Sequence, residues 1–156
     1  MIKINVDGAF VEGDCAGYGV VIRDDKGDVL LSAWGMVHYA ASTEEVELIA
    51  CREGVKLAAE WVPRLAILES DCLVAINFLR RPSDQRSQSV FTIKETVLAS
   101  EKLPSVVFSH VKREQNRVAH ELAQIARRLS HCAVWRNRAP VCVEQLVAHD
   151  CNFPVQ

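Results

Sequence analysis

Three carboxylates and one late segment, spread through a chain of 156, have the type and local setting to suggest a metal site. Asp7 ends an alternating run, Glu47 lies in a stripe of small residues, Asp71 closes an apolar run, and His120 falls in the late segment HVKREQNRVAHELA. Carboxylates offer the oxygen ligands that hard divalent cations prefer. Drawn into one acidic site, these groups point to hydrolysis of nucleic acid. Taken singly, each has a plainer reading. Asp7 is also a turn aspartate in DGAF. Glu47 could reach solvent at the flank of its helix. Asp71 is placed to cap a helix, and His120 is also a surface histidine beside Arg117 and Gln124.

The elements that must position them follow from periodicity. From Ile2 to Val6 apolar residues take the even positions and Lys3, Asn5 and Asp7 the odd ones, as in a strand with unlike faces. Gly17 to Arg23 predicts a second strand, Asp24 to Gly27 a turn, and Val29 to about His38 a third strand. Ser42-Thr43-Glu44-Glu45 has capping-box spacing and opens a helix to about Ala59. On that helix Glu47, Ala50, Cys51, Gly54 and Ala58 share a stripe suited to close packing, and a buried carboxylate there needs a partner such as a cation. Leu65 to Glu69 reads as a strand, and Asp71 caps a helix through Leu79 that Arg80-Arg81-Pro82-Ser83 breaks. Val90 to about Lys102 is helical, Ser105 to Val111 strand-like, and Asn116 to Leu129 helical with Val118, Leu122, Ile125 and Leu129 on one face. The order βββαβααβα implies a mixed α/β sheet, its first three strands antiparallel, with helices on its faces. The carboxyl end of a strand in such a sheet, where Asp71 falls, is where ligands collect.

Composition narrows the class. The length suits one domain, expected over residues 1–130 with a C-terminal tail at 131–156 packed on it. A formal charge of −2 excludes a strongly basic whole-molecule field, so nucleic acid would meet local patches. One runs from Val111 to Arg138, with Lys112, Arg113, Arg117, Arg127, Arg128, Arg136 and Arg138 against Glu114 and Glu121. Arg80, Arg81 and Arg86 form a smaller one. No apolar run approaches a membrane span and the start does not resemble a signal peptide, so the chain reads as intracellular, in nucleus or cytoplasm. Six scattered cysteines without a CxxC pair read as reduced thiols, and Cys142, Cys151, His131 and His149 fit no zinc spacing.

NVDGAF with AGYGVVIRDDKGDVLLSAW, VELIACREGVKLA, LESDCLVAI and HVKREQNRVAHELAQIAR together resemble the plant ribonuclease H-like domain, a type 1 ribonuclease H relative found alone or attached to retroelement reverse transcriptases. The resemblance covers nearly the whole chain, down to a tail in which Trp135 and Pro140 precede a final aspartate. It implies a five-stranded mixed sheet of order 3-2-1-4-5 with helices on both faces. It also implies a metal-dependent endonuclease that cuts the RNA strand of RNA/DNA hybrids and leaves a 3'-hydroxyl and a 5'-phosphate. Asp7, Glu47, Asp71 and His120 then take the catalytic and metal-ligating positions, the last as an auxiliary ligand, for magnesium or alternatively manganese. Two metals about 4 Å apart can activate water and stabilise the leaving oxygen. Nucleic-acid contacts fall to Gly8, Thr43, Arg113, Asn116 and Arg117. The partner is an RNA/DNA hybrid or other nucleic acid, or a reverse transcriptase domain within a larger polyprotein.

The chain departs from that family in three places. It reads N-R-V-A-H where the family has N-x-x-A-D, so His120 stands where an aspartate is usual. Neutral imidazole carries no negative charge, which shifts preference toward manganese or weakens activity. Glu44 puts a carboxylate where a neutral hydrogen-bonding side chain is common, and no long basic insertion follows the Asp71 helix. The alternative is a catalytically weak or inactive module that keeps the fold and binds nucleic acid or a protein. A 3'-5' exonuclease is disfavoured, since Gly8 and Ala9 follow Asp7 in place of a D-x-E pattern.

Overall fold

The computed structural model describes residues 1–84 and 89–151. Strand β1 (Ile2–Ala9) is the hub of a mixed sheet. Antiparallel to it runs β2 (Ala16–Arg23), with Asp7 opposite Gly19, and β3 (Val29–Val37) pairs antiparallel with β2. On the other side β4 (Ala66–Ser70) and β5 (Val106–His110) add in parallel. The expected order 3-2-1-4-5 is present, but the sheet has six strands and not five. The sixth, β6 (Ala133–Arg136), comes from the segment expected to be only a tail and pairs antiparallel with β3, giving β5-β4-β1-β2-β3-β6. Without it, the outer donors and acceptors of β3 would have no strand partner. Trp34 anchors the new strand: its Nε1 donates to His131 Nδ1 at 3.1 Å, and its ring lies 4.5 Å from that of Trp135.

Helix α1 (Thr43–Trp61) starts at Ser42, whose Oγ accepts from the Glu45 N–H at 3.2 Å. The Glu45 carboxylate returns to the Ala41 N–H, one residue before the position a capping box uses. The expected stripe of Glu47, Ala50, Cys51, Gly54 and Ala58 is buried throughout. Helix α2 (Leu73–Arg80) corrects the reading of Asp71 as a cap. Cys72 is the N-cap residue, and its own N–H is held by Ser70 Oγ at 3.1 Å, which leaves the Asp71 carboxylate for other work. Then follow α3 (Val90–Ser100), α4 (Arg117–Leu129) and α5 (Glu144–Cys151). On α4, Val118, Leu122 and Ile125 are buried, but Leu129 is 53% exposed and leaves the expected apolar face. The first core lies beneath α1, α2 and α3 and contains Ile2, Ile4 and Val6. A second lies beneath α4 and contains Val21, Trp34 and Val143. Among the described residues no helix is long and apolar enough to cross a membrane.

Glycines decide how closely two helices approach the sheet. A Cβ on Gly17 would lie 2.8 Å from the Ala123 carbonyl and Ala126 Cβ, and one on Gly19 would overlap the Ala119 carbonyl. The backbone of α4 therefore rests directly on β2. On the opposite face a Cβ on Gly8 would lie 2.7 Å from Val46 Cγ1 and 3.1 Å from the Glu47 nitrogen. Both helices that carry site residues are seated this way.

Candidate metal centre

The end of β1, the second turn of α1 and the end of β4 converge. Asp7, Glu47 and Asp71 each present a carboxylate oxygen, and these lie within 4.8 Å of one another. Asp7 is 2% exposed and Glu47 5% exposed, while Asp71 is half-buried. Among the described residues this is the one group of three or more potential ligands, and His131, Cys142 and His149 join no such group. Cys15, Cys51, Cys72, Cys132 and Cys142 are free thiols.

Packing acids together in a low-dielectric setting makes ionisation costly. Burial, reinforced by the charge of Asp7, pushes the Glu47 carboxyl up to about 10 from its ordinary 4.5, with the Gly8 N–H opposing. Asp71 is raised as well, first by burial and then by Asp7, against the opposing pull of Arg113 and His120. Glu47 Oε2 is buried and finds no hydrogen-bond partner. A buried orphan oxygen within an all-carboxylate cluster is the donor set a hard divalent cation requires, so the residues fit a metal of the magnesium or manganese kind.

His120 reaches the same place from the first turn of α4. Its Nδ1 lies 2.7 Å from Asp7 Oδ2. That contact engages Nδ1 and leaves Nε2 as the ring nitrogen with which a metal could be met. His120 thus joins the cluster through Asp7.

The expected nucleic-acid contacts divide. Gly8 lies within the site beneath Glu47, and Thr43 is exposed at the start of α1. Arg113 and Arg117 are exposed, and with Glu114, His120, Glu121 and Leu146 they line an open depression of about 360 Å³ beside the carboxylates. Asn116 is different: it is 1% exposed, its Nδ2 donates to the Val6 carbonyl at 2.8 Å, and its Oδ1 accepts from Asn5 at 3.1 Å. That amide faces inward, away from any phosphate, because the seating of α4 on β1 uses it. Much of the expected basic patch is also engaged: Arg127 pairs with Asp14, Arg128 with Glu121, and Arg136 lies over the Trp61 ring. In the smaller patch Arg80 donates to the Phe108 carbonyl, and Arg86 lies outside the described residues.

Asn5 was not singled out from the sequence. It sits on the face of β1 that also carries Asp7 and is 1% exposed. The signal available was an amide on the polar parity two residues before the aspartate.

A mixed sheet covered on both faces, with an acidic trio at the carboxyl ends of its central strands, defines an RNase H-like domain. Residues 5–126 match the family described as Reverse transcriptase-like, and the chain belongs to it. No curated protein matches the sequence. Solved structures share the fold at low identity. The N-terminal RNase H domain of rv2228c from Mycobacterium tuberculosis has a TM-score of 0.75 at 18% identity, covering 83% of this chain and 94% of that one. RNase H1 from Halobacterium salinarum has a TM-score of 0.74 at 19% identity, covering 80% and 96%. LC11-RNase H1, solved in complex with an RNA/DNA hybrid, has a TM-score of 0.74 at 21% identity, covering 83% and 99%.

Proposed function

We propose that this domain is a metal-dependent endonuclease that hydrolyses the RNA strand of RNA/DNA hybrids, within the two-metal class of phosphodiester chemistry. The observation that carries the reading is the Asp7, Glu47 and Asp71 cluster with a buried, unpartnered Glu47 oxygen. A divalent cation bound there, magnesium or manganese, would polarise the phosphodiester and favour hydroxide over water. The chain's own part is to hold the three oxygens rigidly from two strands and a helix. It also shields Glu47 from water and keeps an imidazole on Asp7. Arg113 and Arg117 border the depression and would meet backbone phosphates, with Gly8 and Thr43 as further contacts. The hybrid in the LC11-RNase H1 structure supports this partner, and similarity to a foamy virus protease-reverse transcriptase, 20% of which the chain covers, supports attachment to a reverse transcriptase.

A second reading has one specific observation in its favour. His120 occupies an Asp7 oxygen at 2.7 Å, which competes with a metal for that atom and fits a binding module of low activity. Cleavage of a labelled RNA/DNA hybrid with magnesium and then manganese separates the two. Single-stranded RNA, duplex RNA and duplex DNA run beside it, with Asp7→Asn as control. Hybrid-specific cutting that yields 3'-hydroxyl ends and disappears in Asp7→Asn is the expected result. A folded protein that binds hybrid and cuts nothing with either metal establishes the module.

A further inference from the structure

Helix α4 is tied to β1 beside the acidic cluster by a buried chain of side chains. Arg23 Nη2 donates to Asn5 Oδ1 at 3.2 Å. Asn5 Nδ2 donates to Asn116 Oδ1 at 3.1 Å and to Glu69 Oε1 at 3.0 Å. Asn116 Nδ2 donates to the Val6 carbonyl at 2.8 Å, and the Asn116 carbonyl accepts from the His120 N–H at 3.1 Å. Lys3 closes the outer end, 3.7 Å from Glu69.

The placement of this chain is what gives it meaning. Val6 immediately precedes Asp7, and Asn116 is the residue whose carbonyl starts the turn that ends at His120. The side chain of Asn116 makes no helix cap, although asparagine is among the best residues for that role. Its amide is spent across the interface. One buried amide thus registers the origin of α4 against the residue beside Asp7, and Asn5 orients that amide from the same strand. A buried polar chain with every link made holds one arrangement, because any other leaves a group unsatisfied in a low-dielectric setting.

We propose that Asn5 and Asn116 are positioning residues that act through α4 to hold the His120 imidazole on Asp7. The inference rests on the functional reading above, and it concerns an arrangement present before any metal or nucleic acid binds. Its role is that of an outer support, whose loss in metal sites lowers affinity or activity without removing a ligand.

The test uses the whole protein labelled with ¹⁵N-histidine, free of metal and at one fixed pH, in Asn116→Ala and Asn5→Ala. Thr96→Val serves as control, since Thr96 is equally buried and its hydroxyl donates within α3, to the Thr92 carbonyl. In the wild type and in Thr96→Val the His120 Nδ1 proton should give a hydrogen-bonded, solvent-protected resonance, and in both asparagine variants that resonance should be lost while the fold persists. In the same variants kcat on hybrid should fall about 10-fold at unchanged KM. Should Asn116→Ala fail to fold, Asn5→Ala decides between the outcomes, because it leaves the bond from Asn116 to Val6 in place. An unaltered His120 resonance in Asn5→Ala or Asn116→Ala overturns the inference even if the protein cuts hybrid. A wild type that cuts nothing yet loses the resonance in both variants refutes the nuclease reading and retains the positioning role.

Discussion

The two halves of the site differ in how they are built. Asp7 and Glu47 lie at 2% and 5% exposure, pressed together by helix α1 sitting on Gly8. Asp71 and His120 face outward, and Arg113 and Arg117 continue that side into an open depression. The inner half concentrates carboxyl groups where water cannot screen them, so their protonation is set by the protein. Contacts in the outer half are solvated, tunable and sensitive to salt. A cation bound here would be held mainly by the buried pair and would meet substrate through the half-buried one.

The largest expected effect comes from neutralising the inner half. Asp7→Asn should lower hybrid cleavage by at least about two orders of magnitude while the fold survives, and equal activity would remove Asp7 from the metal. Next is position 120. His120→Asp removes the imidazole from Asp7 and adds an oxygen ligand, and should raise the magnesium-dependent rate about 10-fold, whereas an unchanged rate places His120 outside the reacting centre.

Stability separates the halves further. Glu47 holds a proton up to about 10 in the folded state, against 4.5 ordinarily. Above 4.5 the unfolded chain releases that proton and the folded chain retains it, so stability falls as pH rises from there toward 10, and the raised Asp71 adds the same sign. Thermal melts in a chelator should therefore show Tm dropping from pH 5 to pH 9, and Glu47→Gln should flatten the profile. At pH 8 the same variant should gain about 4–8 °C, about 2 kcal/mol, by removing the cost of keeping a carboxyl protonated there. It should also lose the rise in Tm that magnesium gives the wild type. The smallest effect belongs to the outer half. Arg113→Ala and Arg117→Ala should each reduce the salt slope of hybrid binding by about 1, and an unchanged slope would remove that arginine from phosphate contact.

The inner half was readable from the sequence because each residue sits in a long, regular pattern. Alternation put Asp7 on the polar face of β1, and spacing put Glu47 on the buried stripe of α1. The misreadings arose where a short-range rule competed with a tertiary one. Asp71 looked like a cap, but Ser70 supplies the hydroxyl to the Cys72 N–H and leaves the aspartate free. Strand β6 has four residues, too few for alternation to show, and exists because β3 offers it an edge. Asn116 looked like a surface ligand because its partner Asn5 lies 111 positions away in the chain. Pairings of that separation leave no periodic trace.

The contact of α4 with Gly17 and Gly19 bears on how such a site can change over time. Backbone meets backbone there, with Ala119, Ala123, Ala126 and the Leu122 Cβ at the contact, so a larger side chain at Gly17 or Gly19 would push the helix off β2. Alanine at Gly19 would force the two apart at a cost of about 1–3 kcal/mol. That contact sets the distance of α4 from the sheet, and the Asn5–Asn116 link sets where His120 meets Asp7. A lineage can alter the chemistry of that corner by exchanging the side chain at position 120 or the asparagines that register its helix.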